Sequence, residues 1–354
     1  VPTTTFTYGS AGSYTARLEL TTDNGCISEG TIPVTVDPLP VPTISGTNVS
    51  CEGETFTYTT ESGKSNYSWT VSGGGTIASG GTATDNTVTV TWNTAGAESV
   101  SVNYDDGNGC TAVSATVYGV TVNPTPVVAL TAAPGNTVCF GETVTFTATT
   151  GFSNYEFFVN GVSVQDGASE TYASSTLTDG SQVYVVASSG AGCDGMSPMV
   201  TMTVNPLPVP TVSGATEACE GETRVYTTQS GQSNYDWTIS AGGTISSGGT
   251  ATDNTVTVTW NTAGAQSVSV NYDDGNGCTA TSATVYAVTV NATPAPGITG
   301  NTTVCAGETG EGYSTTDNGA GYSYSWSVTG GTITSGQGSA SIVVDWGNGA
   351  SGTV

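Results

Sequence analysis

Residues 82–97 read TATDNTVTVTWNTAGA, and residues 250–265 repeat them without a change. Inside this stretch Thr87-Val-Thr-Val-Thr-Trp92 alternates strictly between polar and apolar side chains, the period of a strand with one buried face. Ser99-Val-Ser-Val-Asn-Tyr104 alternates in the same way. Clusters of Gly, Asn and Asp separate such runs and mark turns. Working outward, Cys51 to Pro126 aligns on Cys219 to Pro294 at a shift of 168 residues without a gap, and 64 of the 76 positions are identical. A diverged relative lies between the two copies. Its Cys139-Phe-Gly-Glu-Thr matches Cys51-Glu-Gly-Glu-Thr, Ser153-Asn-Tyr matches Ser65-Asn-Tyr, and Gly192-Cys193 matches Gly109-Cys110.

The repeat sets the domain organisation. Cys305-Ala-Gly-Glu-Thr and Tyr324-Ser-Trp326 open a fourth copy, while residues 1–36 align on the last part of a module, with Ala11-Gly12 on Ala95-Gly96 and Cys26 on Cys110. The expected divisions are 1–38 (the C-terminal part of a module), 39–124, 125–206 (diverged), 207–292 and 293–354 (the N-terminal part of a module). Both partial modules contain the strand that ends in an aromatic, Tyr8 and Trp346, so they overlap and do not sum to one domain. A piece of a longer array fits this pattern. Short alternating strands with frequent turns predict an all-β chain of antiparallel sandwiches. Val122-Asn-Pro-Thr-Pro126 and Val204-Asn-Pro-Leu-Pro-Val-Pro210 predict short, stiff linkers and hence a rod of roughly 35 to 45 Å per module.

Composition excludes whole classes of chemistry. The chain of 354 residues has no histidine, and 28 acidic residues face three basic ones, for a net charge of −25. No Ser–His–Asp or Cys–His nucleophile and no His-ligated metal centre can be built. With no basic patch to displace phosphate counterions, nucleic acid is not an expected partner, and an anionic membrane surface is disfavoured. No apolar run of about 18 residues exists to span a bilayer, and no basic start leads into an apolar segment as in a signal peptide.

The eight cysteines fall two to a complete module, which predicts intramodule bridges Cys51–Cys110, Cys139–Cys193 and Cys219–Cys278. Cys26 and Cys305 are then left with partners outside the chain. Disulfides imply an oxidising, extracellular setting. Trp69, Trp237 and Trp326, with Phe157 in the diverged copy, follow the first cysteine at similar spacing and alternate as core residues, and a sugar-stacking platform is the competing reading. Glu52 and Glu54 (Glu220 and Glu222 in the twin) sit beside the first cysteine. Asp105 and Asp106 (Asp273 and Asp274) precede the second. The expected bridges would gather these four acids at one end of each module, a set of oxygen ligands suited to Ca²⁺. Their plainer reading is solvated turn residues, because the spacing is not that of a calcium loop and Gly190-Ala-Gly-Cys193 lacks the acids. No cofactor is required. Asn48, Asn66, Asn291 and Asn301 match the N-glycosylation pattern.

The string (V/A)C-x-G-E-T, Y-x-W, A-G followed by G-C, and V-T-V-(N/D)-P-x-P resembles the PKD-like and immunoglobulin-like modules of Bacteroidota surface proteins. Ala11-Gly-Ser-Tyr-Thr-Ala-Arg-Leu18 is the part most similar to a PKD repeat. The resemblance covers essentially the whole chain and implies tandem sandwiches of large secreted adhesins, including gliding-type adhesins exported by the type IX system, or spacers in secreted hydrolases. It supplies no catalytic residue. The expected function is a non-catalytic stalk or filament at the bacterial cell surface, whose partners are neighbouring modules, self-assembly into a fibre, and surface glycans or an adhesive tip. A glycan- or partner-binding array and a hydrolase spacer are the alternatives.

Overall fold

The computed structural model describes residues 3–349 and 351–354; Val1, Pro2 and Ala350, which fall in the two partial modules, lie outside the described residues. Every regular element among the described residues is a strand. The chain divides into two compact units, Val1–Pro206 and Leu207–Val354.

The first unit opens with an antiparallel hairpin of β1 (Gly12–Thr21) and β2 (Ile27–Val36). Leu18 and Leu20 on β1 are 62% exposed. The repeat places them on Val102 and Tyr104 of the next module, which are buried. Arg17 is paired with Glu19 at 2.9 Å and with Glu29.

Residues 39–124 form a two-sheet sandwich. Its strands are β3 (Val49–Cys51), β4 (Thr55–Thr59), β5 (Ser65–Val71), β6 (Gly75–Gly80), β7 (Thr87–Trp92), β8 (Gly96–Asp105) and β9 (Thr116–Asn123). One sheet has the order β4-β7-β6 and the other β3-β9-β8-β5. The alternation read from Thr87-Val-Thr-Val-Thr-Trp92 is realised: Val88, Val90 and Trp92 are fully buried, while the intervening threonines face outward. On that outer face Thr55 pairs with Thr91 at 2.8 Å and Thr57 with Thr89 at 2.9 Å through their hydroxyls, a cross-strand ladder that stiffens the sheet without adding charge. The core gathers Tyr58, Tyr67, Trp69, Trp92, Tyr104 and six valines. Trp92 Nε1 donates to Tyr58 Oη at 3.0 Å, satisfying both buried polar groups. Gly46 lies against the Tyr58 ring, where any Cβ would collide with it, and Gly214 and Gly300 stand in the same relation to Tyr226 and Tyr313.

One strand pairing in this sandwich is parallel. β3 runs beside β9, with Cys51 level with Asn123. The antiparallel β8 carries the chain away from that level, starting at Gly96 opposite Val122.

Residues 125–206 repeat the plan with a shifted sheet boundary. The strands are β10 (Leu130–Ala133), β11 (Thr137–Cys139), β12 (Val144–Ala148), β13 (Asn154–Val159), β14 (Val162–Gly167), β15 (Thr171–Ser174), β16 (Gln182–Ser188), β17 (Asp194–Met196), β18 (Val200–Thr201) and β19 (Thr203–Asn205). β10-β12-β15 form one sheet, and β14-β13-β16-β17 form the other, with β18 also on β16. The parallel pair is retained as β11–β19, which sets Cys139 beside Asn205. Phe157 lies at the centre of this core.

In the second unit the twin module uses β20 (Glu217–Cys219), β21 (Thr223–Thr227), β22 (Ser233–Ile239), β23 (Gly243–Gly248), β24 (Thr255–Trp260), β25 (Gly264–Asp273) and β26 (Thr284–Asn291). Its two sheets are β21-β24-β23 and β20-β26-β25-β22, the same topology at the shifted positions. Residues 293–354 form a single three-stranded sheet of β27 (Glu311–Ser314), β28 (Gly331–Ser335) and β29 (Ser341–Trp346) over a small core of Tyr313, Ile342 and Val344. Trp326 is only half-buried against it.

Candidate functional site

Two turns recur along the chain, both in each complete module and one in each partial module, and each presents a cysteine. The first is Cys-x-Gly-Glu. At Cys51 the Glu54 carboxylate accepts the Cys51 backbone N–H at 2.8 Å while Glu54 N donates to Cys51 O at 3.1 Å. Gly53 holds φ +87° between them, a left-handed conformation that disfavours any side chain. Cys139 with Glu142 and Cys219 with Glu222 repeat both bonds, and Cys305 with Glu308 repeats the backbone one. Glu52 reaches elsewhere: its carboxylate accepts from Ala95 N at 2.9 Å and Thr125 N at 3.3 Å, and so ties the outgoing linker to the turn.

The second turn ends in Gly-Cys. Asp106 Oδ1 accepts the N–H groups of Asn108 and Cys110, each at 2.9 Å, and Gly109 sits at φ +78°. In the twin Asp274 does the same for Asn276 and Cys278. Ser189 replaces the acid in the diverged module and its hydroxyl accepts from Cys193 N at 3.2 Å, while Thr22 does so for Cys26 at 3.1 Å. An Asp, a Ser and a Thr thus perform one task, and the task is closing the turn. Asp105 is separately engaged, accepting from Asn66 Nδ2 at 2.7 Å and from the Thr111 hydroxyl; Asp273 has Asn234 at 2.7 Å and Thr279. These bonds hold the Asp105 and Asp273 carboxyls below the ordinary range.

The cysteine pairing differs from the sequence expectation. Cys51 is bonded to Cys193 of the following module, with the two Cα atoms 5.6 Å apart at a sequence separation of 142. Cys110 and Cys219 are free thiols, whereas Cys139 and Cys278 are held in disulfides. The intramodule pairs Cys51–Cys110, Cys139–Cys193 and Cys219–Cys278 are therefore not formed. The reason is the parallel strand. β3 delivers Cys51 to the level where β9 ends, while Cys110 follows the far end of β8, about 30 Å away at ~3.4 Å per residue. A disulfide needs Cα atoms within about 7 Å. The expected gathering of four acids falls with the pairing: Glu52 and Glu54 lie at one end of the sandwich, Asp105 and Asp106 at the other. Among the described residues no group of three or more Cys, Asp or Glu is disposed to hold a metal ion.

Trp69, Trp237 and Phe157 are interior rings, the two tryptophans at most 8% exposed, with Trp69 Nε1 donating to Asp85 O and Trp237 Nε1 to Asp253 O at 2.9 Å. They offer no face to a sugar. Phe6, Phe140 and Tyr322 are exposed aromatics, and they occupy unrelated module positions. All four glycosylation candidates, Asn48, Asn66, Asn291 and Asn301, are exposed residues. The amides of Asn66 and Asn301 are occupied by Asp105 and by Glu311, each at 2.7 Å. The hollow lined by Ile298, Tyr313, Trp346 and Val354 is the interior of the C-terminal partial sandwich.

A model of the PKD-like domain matches residues 37–120, 205–288 and 291–354, well over half of the chain. The chain belongs to the PKD-like domain family. The PKD-like modules so matched are the two near-identical copies and the C-terminal partial one. No curated protein matches the chain. Among solved structures, it is similar to the fibronectin(III)-like modules of Clostridium thermocellum CbhA at 17% identity (46% of this chain, 94% of that one, TM-score 0.27). It is also similar to the ICAM-5 D1–D4 ectodomain fragment at 11% (87% and 91%, TM-score 0.31) and the I9–I11 tandem of titin at 11% (71% and 100%, TM-score 0.26).

Two reactivities follow from the geometry. Cys110 is half-buried, and burial first, then the charges of Asp106, Asp37 and Asp105, push its thiol pKa up. Thiolate is the reactive form, so at pH 8 Cys110 should alkylate more slowly than the exposed Cys219, with the gap narrowing as pH rises; timed iodoacetamide labelling read by mass spectrometry checks this. Glu61 is one of the few positions where the first PKD-like module differs from its twin, which has Gln229. Burial raises the Glu61 pKa, but hydrogen bonds from the Thr43 and Thr60 side chains and from nearby backbone amides outweigh it and bring the carboxyl from 4.5 to about 2. A pKa depressed in the folded state stabilises above the unfolded value and is lost as pH falls through the folded one. Thermal melts should show the wild-type chain losing stability between pH 4.5 and pH 2 relative to Glu61→Gln, with no such divergence between pH 6 and pH 8.

Proposed function

We propose that this chain is a non-catalytic, extracellular structural repeat region, a stalk or filament of a bacterial surface adhesin or fibre. The observation that carries the reading is the Cys51–Cys193 bridge between successive modules. A bridge inside a module stabilises a domain; a bridge between modules fixes spacing and makes sense where the joined array is itself the product. Two sandwiches identical at 64 of 76 positions support the same reading, since spacing tolerates copying and a unique binding site does not. Burial of Trp69, Trp237 and Phe157 and the engagement of Glu52 and Asp106 in closing turns support the structural reading over a glycan-binding array or a hydrolytic role. Disulfides fit an oxidising compartment.

Electron microscopy of the oxidised protein and of native material tests this. Uniform thin rods with a two-module axial repeat of roughly 70 to 90 Å are expected. Flexible strings of beads without a fixed spacing, or saturable binding of defined glycans by the isolated chain, would reject the structural role.

A further inference from the structure

We infer that Glu52 and Gly195 position the Cys51–Cys193 bridge, by gripping the linker between modules 39–124 and 125–206 from opposite sides. This goes beyond the proposed stalk, because the grip holds whatever the array presents or binds. Each of the two residues lies close to one of the cysteines. Glu52 follows Cys51, and its carboxylate accepts Ala95 N at 2.9 Å and Thr125 N at 3.3 Å, while its backbone carbonyl accepts the Thr125 hydroxyl at 3.2 Å. Gly195, in β17, is two residues beyond Cys193, and both are buried. A Cβ at Gly195 would overlap the Pro126 carbonyl oxygen and lie 2.8 Å from both the carbonyl carbon and the Cβ of Pro126. These are backbone and ring atoms, which cannot swing aside as the end of a long side chain would. Two consecutive linker residues are thus seated, Thr125 on the Cys51 side and Pro126 on the Cys193 side.

Backbone freedom is not what glycine supplies at 195, because Gly195 lies outside the left-handed region that calls for it. The places corresponding to it after Cys26, Cys110 and Cys278 are Ser28, Ala112 and Ala280. Glycine supplies room for the linker, and the close approach brings the two Cα atoms to 5.6 Å, within the span of a disulfide. The grip uses neither sulfur, so it forms in the reduced protein and presents the two thiols to each other before oxidation. Oxidation by glutathione disulfide then takes two exchanges. One cysteine thiolate attacks the glutathione disulfide, forming a mixed disulfide and releasing one glutathione thiolate. The other cysteine thiolate attacks the protein sulfur of that mixed disulfide, closing the bridge and releasing the second glutathione thiolate. The two cysteine thiols lose their protons to solvent and are oxidised, while one glutathione disulfide is reduced to two thiols. Only the second exchange depends on how the linker is seated.

Timed oxidation of the full chain tests this. The reduced, folded chain is given oxidised glutathione, quenched in acid at intervals, digested with pepsin and read by mass spectrometry. The wild-type chain should yield the Cys51–Cys193 peptide with little glutathione held on either cysteine. In Gly195→Ala the second exchange should slow roughly tenfold or more, as the effective concentration of one thiol at the other falls, and glutathione should accumulate on Cys51 and Cys193. Gly190→Ala is the control, since it lies in the same turn with open space where a Cβ would stand, and it should close at the wild-type rate. Glu52→Ala, in the other module, should also slow closure, and Glu52→Gln, which keeps an acceptor oxygen, should restore it. Wild-type closure in either Gly195→Ala or Glu52→Ala would overturn the positioning roles. Equal slowing in Gly190→Ala, or a Glu52→Gln chain as slow as Glu52→Ala, would do the same. If Gly195→Ala does not fold, the two Glu52 variants decide the outcome on the same readout.

Discussion

Removing the Cys51–Cys193 bridge with the double variant Cys51→Ser, Cys193→Ser should lower the stability of modules 39–124 and 125–206 together by up to about 5 kcal/mol. The figure is the chain-entropy value for a closed loop of 142 residues. It applies only when both sandwiches unfold, because a folded module already restricts most of the loop. Calorimetry should therefore show a second effect beside the lower midpoint: one coupled transition for the two modules splitting into two. The double variant avoids a stray thiol that could shuffle. If the melt is unchanged in midpoint and in width, the bridge contributes nothing to either module.

Trp92→Ala should unfold its module or bring it to the edge of unfolding. The ring is fully buried, meets Tyr58 edge-on at 6.2 Å between centroids, and donates its N–H to the Tyr58 hydroxyl. Truncating a buried tryptophan costs about 3–5 kcal/mol, and the abandoned Tyr58 hydroxyl adds about 1–3 kcal/mol of unsatisfied burial. Against a total stability of about 5–15 kcal/mol for a domain this is most of the margin. Trp260→Ala is an internal replicate, since Trp260 has the same 6.2 Å contact with Tyr226 and a 3.1 Å hydrogen bond to its hydroxyl. Urea unfolding should give matching losses for the two variants. Thr57→Ala, which removes one outward rung of the threonine ladder, should cost less than about 1 kcal/mol.

The all-β sandwich plan was legible in the sequence because its signals are local. Strict alternation in Thr87–Trp92 marks both the strand and its buried face, and the shift of 168 residues converts one reading into two. The interior placement of Trp69 and Phe157 follows from the same period. The cysteine partners were not legible, because two cysteines per module satisfy a scheme within modules and a scheme between them equally well. The deciding fact is that β3 pairs parallel with the last strand, a long-range contact that three residues, Val49-Ser-Cys51, do not advertise. Immunoglobulin-like domains place their bridge within facing strands, whereas here Cys51 ends β3 and Cys110 lies in the turn beyond the far end of β8, at opposite ends of one sheet. The same oversight misplaced Glu52, Glu54, Asp105 and Asp106 as one cluster. Their spacing from glycine, in Cys-x-Gly-Glu and in Asp-Gly-Asn-Gly-Cys, is the signal that could have marked them as turn acceptors.

A pull along the chain meets the bridge before it meets the modules. Load arriving at Cys51 crosses to Cys193 through one covalent step of 5.6 Å between Cα atoms. The chain between them, at a sequence separation of 142 about 480 Å when fully extended at ~3.4 Å per residue, is excluded from the path of tension. Unfolding the strands from β4 to β16 would therefore release no length. A string of unbridged sandwiches can lengthen several-fold by giving up its domains one after another, absorbing energy as it does. This pair cannot, and a tether built this way transmits force at nearly constant length until a covalent bond breaks.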